Sequence, residues 1–147
     1  MKKIIIIKYG ELSTKKDNIN FFISTLKDNI KASLTGLNAN ITYDKGRMFI
    51  ESSEDNYETI MSKLKKTFGI HEINIAYELE NNDFENIKES LKELIQDVEI
   101  NTFKVESKRS DKSYPINSME MSRILGGVVL KNKEGVKVDV HNPETVI

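Results

Sequence analysis

At 147 residues the chain is long enough for one domain or two small ones. Hydrophobic residues make up 38% and charged residues 31%, an ordinary globular composition with a modest core. The absence of cysteine excludes disulfides, thiolate metal sites and thiol catalysis within the chain, and it fits a cytoplasmic location.

The net charge of −1 hides a segregation. Residues 1–76 carry 12 Lys/Arg against 9 Asp/Glu, residues 77–102 carry 2 against 8, and residues 103–147 carry 8 against 6. The acidic excess lies in one middle segment, which reads as a solvated helix face, and the flanks are mildly basic. Binding follows local potential rather than the whole-chain sum, so the net charge leaves a nucleic-acid partner open.

The opening apolar run, residues 4–7, is four isoleucines closed by Lys8. It is too short for a signal peptide or a membrane span and reads as a buried strand. Phe22, Ile23, Leu26, Ile30 and Leu34 then recur at helical spacing, with Gly36 as the stop. Ile41 and Tyr43, and then Met48 and Ile50, alternate with polar residues around Asp44-Lys45-Gly46, a short hairpin connection. A second helix presents Tyr57, Ile60, Met61 and Leu64 on one face, with Gly69 after its end. Residues 70–77 alternate through Ile73, Ile75 and Tyr77 as a further strand. The order βαββαβ is that of a ferredoxin-like unit, an antiparallel sheet with both helices on one face.

The remainder repeats α and β less completely. Phe84, Ile87, Leu91, Leu94 and Ile95 mark a helix that Asn82 or Asp83 can cap. Residues 102–106 form a strand. Asn117 or Ser118 caps a further helix, with Glu120 at capping-box spacing from Asn117 and an apolar stripe of Met121, Ile124, Leu125, Val128 and Val129. Residues 136–140 alternate as a last strand before Asn142-Pro143-Glu144-Thr145-Val146-Ile147. Two helices over two strands make a thin layer, so this second domain is expected to be incomplete at its C-terminal end or completed by a partner. The fold class is α+β, a ferredoxin-like domain over residues 1–76 followed by a truncated α/β domain over 77–147.

The chemistry concentrates in residues 103–115. Phe103 and Val105 point to the core of an extended strand while Lys104, Glu106 and Lys108 share the other face. Arg109 and Lys112 follow where strand gives way to loop, among Ser110, Ser113 and a Tyr114-Pro115 step. Cations and hydroxyls at a strand end beside a helix start suit a phosphate backbone. The bland alternative is a solvated strand end with ion pairs to Glu106 and Asp111.

Gly126-Gly127 within a helical pattern costs about 1 kcal/mol per glycine relative to alanine, and close helix–sheet packing is the expected compensation. Close approach of a nucleic-acid backbone is the sharper reading. The first loop, Lys8-Tyr9-Gly10-Glu11-Leu12-Ser13-Thr14-Lys15-Lys16, could form an anion-binding turn but is no Walker A loop or dinucleotide fingerprint. His71 and His141 stand apart without a triad partner. Phe21, Phe22, Phe49, Phe68, Phe84 and Phe103 are expected mostly in the core rather than on a stacking platform.

Five segments in register carry a family resemblance. They are Lys8-Tyr9-Gly10-Glu11-Leu12-Ser13, Gly46-Arg47-Met48-Phe49-Ile50, Phe68-Gly69-Ile70, Thr102-Phe103-Lys104-Val105 with Lys108-Arg109-Ser110-Asp111-Lys112-Ser113-Tyr114-Pro115, and Gly135-Val136-Lys137-Val138-Asp139-Val140-His141-Asn142-Pro143. Together they resemble the amino-terminal half of the bacterial tRNA 4-thiouridine synthetases, or tRNA sulfurtransferases. The resemblance covers nearly the whole chain. It implies a ferredoxin-like domain followed by a THUMP domain that holds the 3′ acceptor end of tRNA for a separate catalytic domain. That domain would use ATP and Mg to activate a uridine, with a cysteine desulfurase as sulfur donor and, in some bacteria, a role in forming the thiamine thiazole. Its Ser-Gly-Gly pyrophosphatase loop is absent from this sequence, so neither cofactor nor catalysis is expected in this chain.

The family commonly has Lys-Gly-Lys-Asn-Arg after the first-loop hydroxyl, where Lys15-Lys16-Asp17-Asn18-Ile19 stands here. A glycine and an arginine are missing. The expected RNA contacts are Lys104, Lys108, Arg109, Ser110, Lys112 and Arg123, then Lys131 and Lys133, and last Lys15 and Lys16. Two other readings stay open. One is a free-standing THUMP-type tRNA adaptor. The other is a ferredoxin-like module that binds a small ligand or forms a homodimer without RNA affinity.

Overall fold

The computed structural model describes residues 1–9, 18–44 and 46–147. The first-loop candidates Lys15 and Lys16 lie outside the described residues, as does Lys45 of the hairpin connection. The chain divides into two compact units, Met1–Leu79 and Glu80–Ile147. No helix among the described residues is long and apolar enough to cross a membrane.

The first unit runs β1 (Lys2–Tyr9), α1 (Ile19–Ser33), β2 (Ala39–Asp44), β3 (Arg47–Ser52), α2 (Tyr57–Leu64) and β4 (Ile70–Glu78). Its sheet has the order β2-β3-β1-β4 and is antiparallel throughout. That is the ferredoxin-like arrangement, and it explains the continuous isoleucine run: β1 is central. Ile5 pairs with Ile50 on one side and Ile75 on the other, and Ile7 with Met48 and Ile73. Ile5, Ile7, Met48 and Ile50 are buried against Leu26 and Ile30 from α1, Leu34 at its C-terminal cap, and Tyr57, Ile60 and Leu64 from α2. Burying each of these large aliphatic side chains contributes about 1.5–3 kcal/mol.

Asp44 pairs with Arg47 across the hairpin, and Gly46 supplies the positive φ (+84°) that this tight connection requires. Tyr57 locks the start of α2 to the sheet. Its hydroxyl donates to the Lys3 carbonyl at 2.5 Å and accepts the Ser52 amide at 3.2 Å. Ile75 and Tyr77, expected inside, are 46% and 36% exposed because β4 is an edge strand. The division expected after residue 76 falls within β4, whose pairing with β1 continues to Glu78 opposite Lys2.

The second unit runs α3 (Phe84–Gln96), β5 (Thr102–Lys104), α4 (Ser118–Asn132), β6 (Lys137–Val138) and β7 (Thr145–Val146). The sheet has three strands where the pattern showed two, in the order β6-β5-β7 with both pairings parallel. The added strand, β7, comes from the closing stretch; the Ile147 amide donates to the Lys104 carbonyl at 3.0 Å. Strands this short carry no readable alternation. The same limit explains why β5 and β6 are shorter than the expected 102–106 and 136–140.

Leu91 and Ile95 from α3, Val128 and Val129 from α4, Ile100 and Phe103 form this unit's core, with Val105, Leu125, Val136 and Ile147 packed on it. The apolar stripes of both helices fall where their spacing placed them. Gly126-Gly127 is not explained by packing: a Cβ added at either position meets no atom within 4 Å.

A candidate nucleic-acid interface

The chain leaves β5 at Lys104 and stays extended toward α4, held from both sides. The Glu106 amide donates to the Ile147 carbonyl at 2.9 Å, and the Ser107 amide to the Ser122 hydroxyl at 3.0 Å. The Arg109 guanidinium then folds over the loop, its Nη1 donating to the carbonyls of Lys112 at 3.2 Å and Tyr114 at 2.7 Å. Asp111 closes the loop's tip by accepting from the amide and hydroxyl of Ser113 at 2.9 and 2.6 Å. The Ser113 hydroxyl, the Ser113 amide and the nearby Arg109 charge hold the Asp111 carboxyl below its usual range. The Tyr114 hydroxyl ties the loop to the Asn82 carbonyl at 2.6 Å. Asn117 ends it by capping α4, accepting the Glu120 amide at 2.9 Å. Glu120 does not complete a capping box but turns to Arg123.

This scaffold sorts the expected contact residues. Lys108, Ser110 and Lys112 are exposed, and neither lysine has a carboxylate within ion-pair distance among the described residues. Arg109 organises the loop with one nitrogen, and its other N–H groups remain in the same fork. Lys104 is half-buried and paired with Glu106. Arg123 is exposed and held by Glu120 through Nε at 3.1 Å and through Nη2. Lys131 is exposed in the last turn of α4. Lys133 points elsewhere: its ammonium donates to the Ile95 carbonyl at 2.7 Å, a bond that satisfies the C-terminal end of α3.

Two open clefts flank this loop. One, of about 590 Å3, lies between residues 105–108 and the first turns of α4, with Ser118, Met119 and Ser122 on the helix side. The other, of about 540 Å3, is lined by Arg109, Asn117, Glu120 and Arg123 and shares Ser118 and Met119. Met119, 85% exposed, belongs to both. It was legible as an apolar residue off the α4 stripe, a signal the stripe itself obscured. A third groove, of about 420 Å3, runs between α3 and α4, where Lys88 and Lys92 face Arg123, Gly127 and Lys131. Lys88 and Lys92 are masked in sequence by the acidic segment around them; they pair with Glu85 and Glu89 along α3. The arrangement gathers cationic and hydroxyl side chains that can bind anions.

Residues 4–74 match the family model of the ThiI ferredoxin-like domain, and residues 81–147 match that of the THUMP domain. The whole chain aligns at 43% identity with 38% of the probable tRNA sulfurtransferase of Caldanaerobacter subterraneus subsp. tengcongensis. The chain belongs to the tRNA sulfurtransferase family. It corresponds to the amino-terminal part of those proteins and spans less than two-fifths of their length. The probable tRNA sulfurtransferase of Clostridium acetobutylicum is 38% identical over the whole chain and 38% of its own length. Among solved structures, a 4-thiouridine synthetase–RNA complex with bound ATP superposes with a TM-score of 0.80 at 33% identity, over 99% of this chain and 37% of that one. PH1313 from Pyrococcus horikoshii superposes with a TM-score of 0.76 at 25% identity, over 98% of this chain and 49% of that one.

Proposed function

We propose that this chain is the tRNA-binding part of a tRNA sulfurtransferase that makes 4-thiouridine, and that it captures the single-stranded 3′ acceptor end. The observation that carries this reading is the loop folded by Arg109, which holds Lys108 and Lys112 exposed and, among the described residues, without carboxylate partners beside the capped start of α4. Phosphates fit there through charge and hydrogen bonds, and the clefts around Met119 leave room for unpaired nucleotides. Similarity to an RNA-bound 4-thiouridine synthetase supports the same partner. Lys108, Arg109, Ser110 and Lys112 are the leading contacts, and Lys104, Arg123 and Lys131 flank them. In this reading ATP, Mg and the sulfur delivered by a cysteine desulfurase act at a separate catalytic domain, and in some bacteria such enzymes also supply sulfur for the thiamine thiazole.

The test is tRNA binding by this chain at two salt concentrations, with and without the 3′ CCA nucleotides. Loss of affinity on CCA removal, with a steep salt dependence, is the expected result. Equal affinity for both RNAs overturns acceptor-end capture, and no affinity for either overturns the reading as a whole.

A further inference from the structure

The first unit carries an exposed aromatic that its core does not account for. Phe68, in the turn after α2, is 90% exposed, where the sequence pattern predicts a core ring. The turn itself is tightly held. The Lys65, Lys66 and Thr67 amides donate back to the Met61, Lys63 and Leu64 carbonyls at 3.1, 3.2 and 3.0 Å. The Thr67 hydroxyl donates to the Lys63 carbonyl at 3.1 Å and lies 3.5 Å from that of Ser33 on α1.

Gly69 pins the exit. Its φ is +95°, and a Cβ there would stand 3.3 Å from Leu26 Cδ1 and from Phe22 Cζ. The backbone is thus pressed against α1 while the neighbouring ring is directed into solvent. Residues 63–69 contain three lysines and no acid. Lys63, Lys65 and Lys66 are all exposed and have no carboxylate within ion-pair distance among the described residues.

An exposed apolar ring on an ordered turn with three exposed lysines, none carrying a carboxylate partner among the described residues, matches one chemistry well: a nucleobase stacked on the ring, with its phosphates against the lysines. An acidic peptide would satisfy the lysines but leave the ring's face without a planar partner. We infer that Phe68 with Lys65 and Lys66 forms a second RNA-contact surface, on the ferredoxin-like unit, that stacks on an unpaired nucleotide of the tRNA. This inference rests on the reading of the chain as a tRNA-binding module.

The sequence has no tryptophan, so Phe68→Trp introduces a single fluorescent reporter at the site. Unmodified tRNA is expected to quench the F68W indole and shield it from iodide. Phe68→Ala is expected to weaken tRNA binding by about 5- to 20-fold, the loss of one base stack, without changing the salt slope. Lys65→Ala combined with Lys66→Ala is expected to flatten that slope. The inference is overturned if Phe68→Ala binds like the unsubstituted chain and tRNA leaves the F68W emission unchanged, while Arg109→Lys weakens binding. It is equally overturned if polyglutamate quenches F68W as strongly as tRNA does. Absence of tRNA binding by the unsubstituted chain overturns this inference and the proposed function together.

Discussion

Arg109→Lys separates charge from geometry at the loop before α4. The substitution keeps one positive charge but replaces the planar guanidinium with a shorter side chain, whose ammonium stops one bond short of the Nη1 position that serves both the Lys112 and Tyr114 carbonyls. A hydrogen bond of this kind contributes about 1 kcal/mol net, and Arg109 is only half-buried. Loosening the loop therefore costs about 1–2 kcal/mol of preorganisation, which appears as roughly 5- to 30-fold weaker tRNA binding. The salt slope should stay nearly constant, because no cation is lost. Fluorescence anisotropy with end-labelled tRNA across a salt series measures both quantities. Unchanged affinity would refute the scaffold role of Arg109. A slope that falls as much as it does on removing a lysine would show instead that the guanidinium itself contacts a phosphate that the ammonium does not reach.

Lys108→Ala combined with Lys112→Ala should leave the fold intact and lower the magnitude of the salt slope by about 0.7 per lost phosphate contact on single-stranded RNA, read in the same titration. Gly126→Ala and Gly127→Ala should each raise helix stability by about 1 kcal/mol, since neither Cβ meets a neighbour; thermal melting checks this, and a fall in stability would reveal a contact made there. Tyr57→Phe removes the hydroxyl that joins α2 to Lys3 and Ser52 and should cost about 1–2 kcal/mol in urea unfolding, with tRNA affinity unchanged.

The fold was legible wherever a repeat was long enough to set a period. Leu26 and Ile30, Ile60 and Leu64, and Val128 and Val129 are buried where helical spacing put them, because each stripe must meet a sheet. The four isoleucines after Lys3 marked a buried strand, and the sheet order makes it an inner one. The closing Thr145-Val146 was opaque: two residues hold no alternation, and β7 exists through its pairing with β5. Phe68 misled because hydrophobicity is a property of a residue, whereas burial depends on which way a turn faces. Gly126-Gly127 misled in the opposite direction, since its cost is visible in sequence and the empty space beside it is not.

The candidate site was legible as a set of charges but not as a division of labour. Lys133 and Lys108 are equivalent in composition. Only the backbone path shows that Lys133 reaches the carbonyl of Ile95 near the end of α3, while Lys108 stands on a strand extension with no acid at ion-pair distance among the described residues. Arg109 and Arg123 likewise differ by what surrounds them, one gathering carbonyls and the other a carboxylate. An RNA phosphate must displace any partner a cation already holds, so the unpaired lysines gain most from binding and the paired ones gain least. The same reasoning extends to the first unit, where Lys65 and Lys66 stand beside a ring held outward by the turn that follows α2. In both places local hydrogen bonds order the backbone before any ligand arrives. The entropy lost on binding an RNA would then fall mainly on side chains.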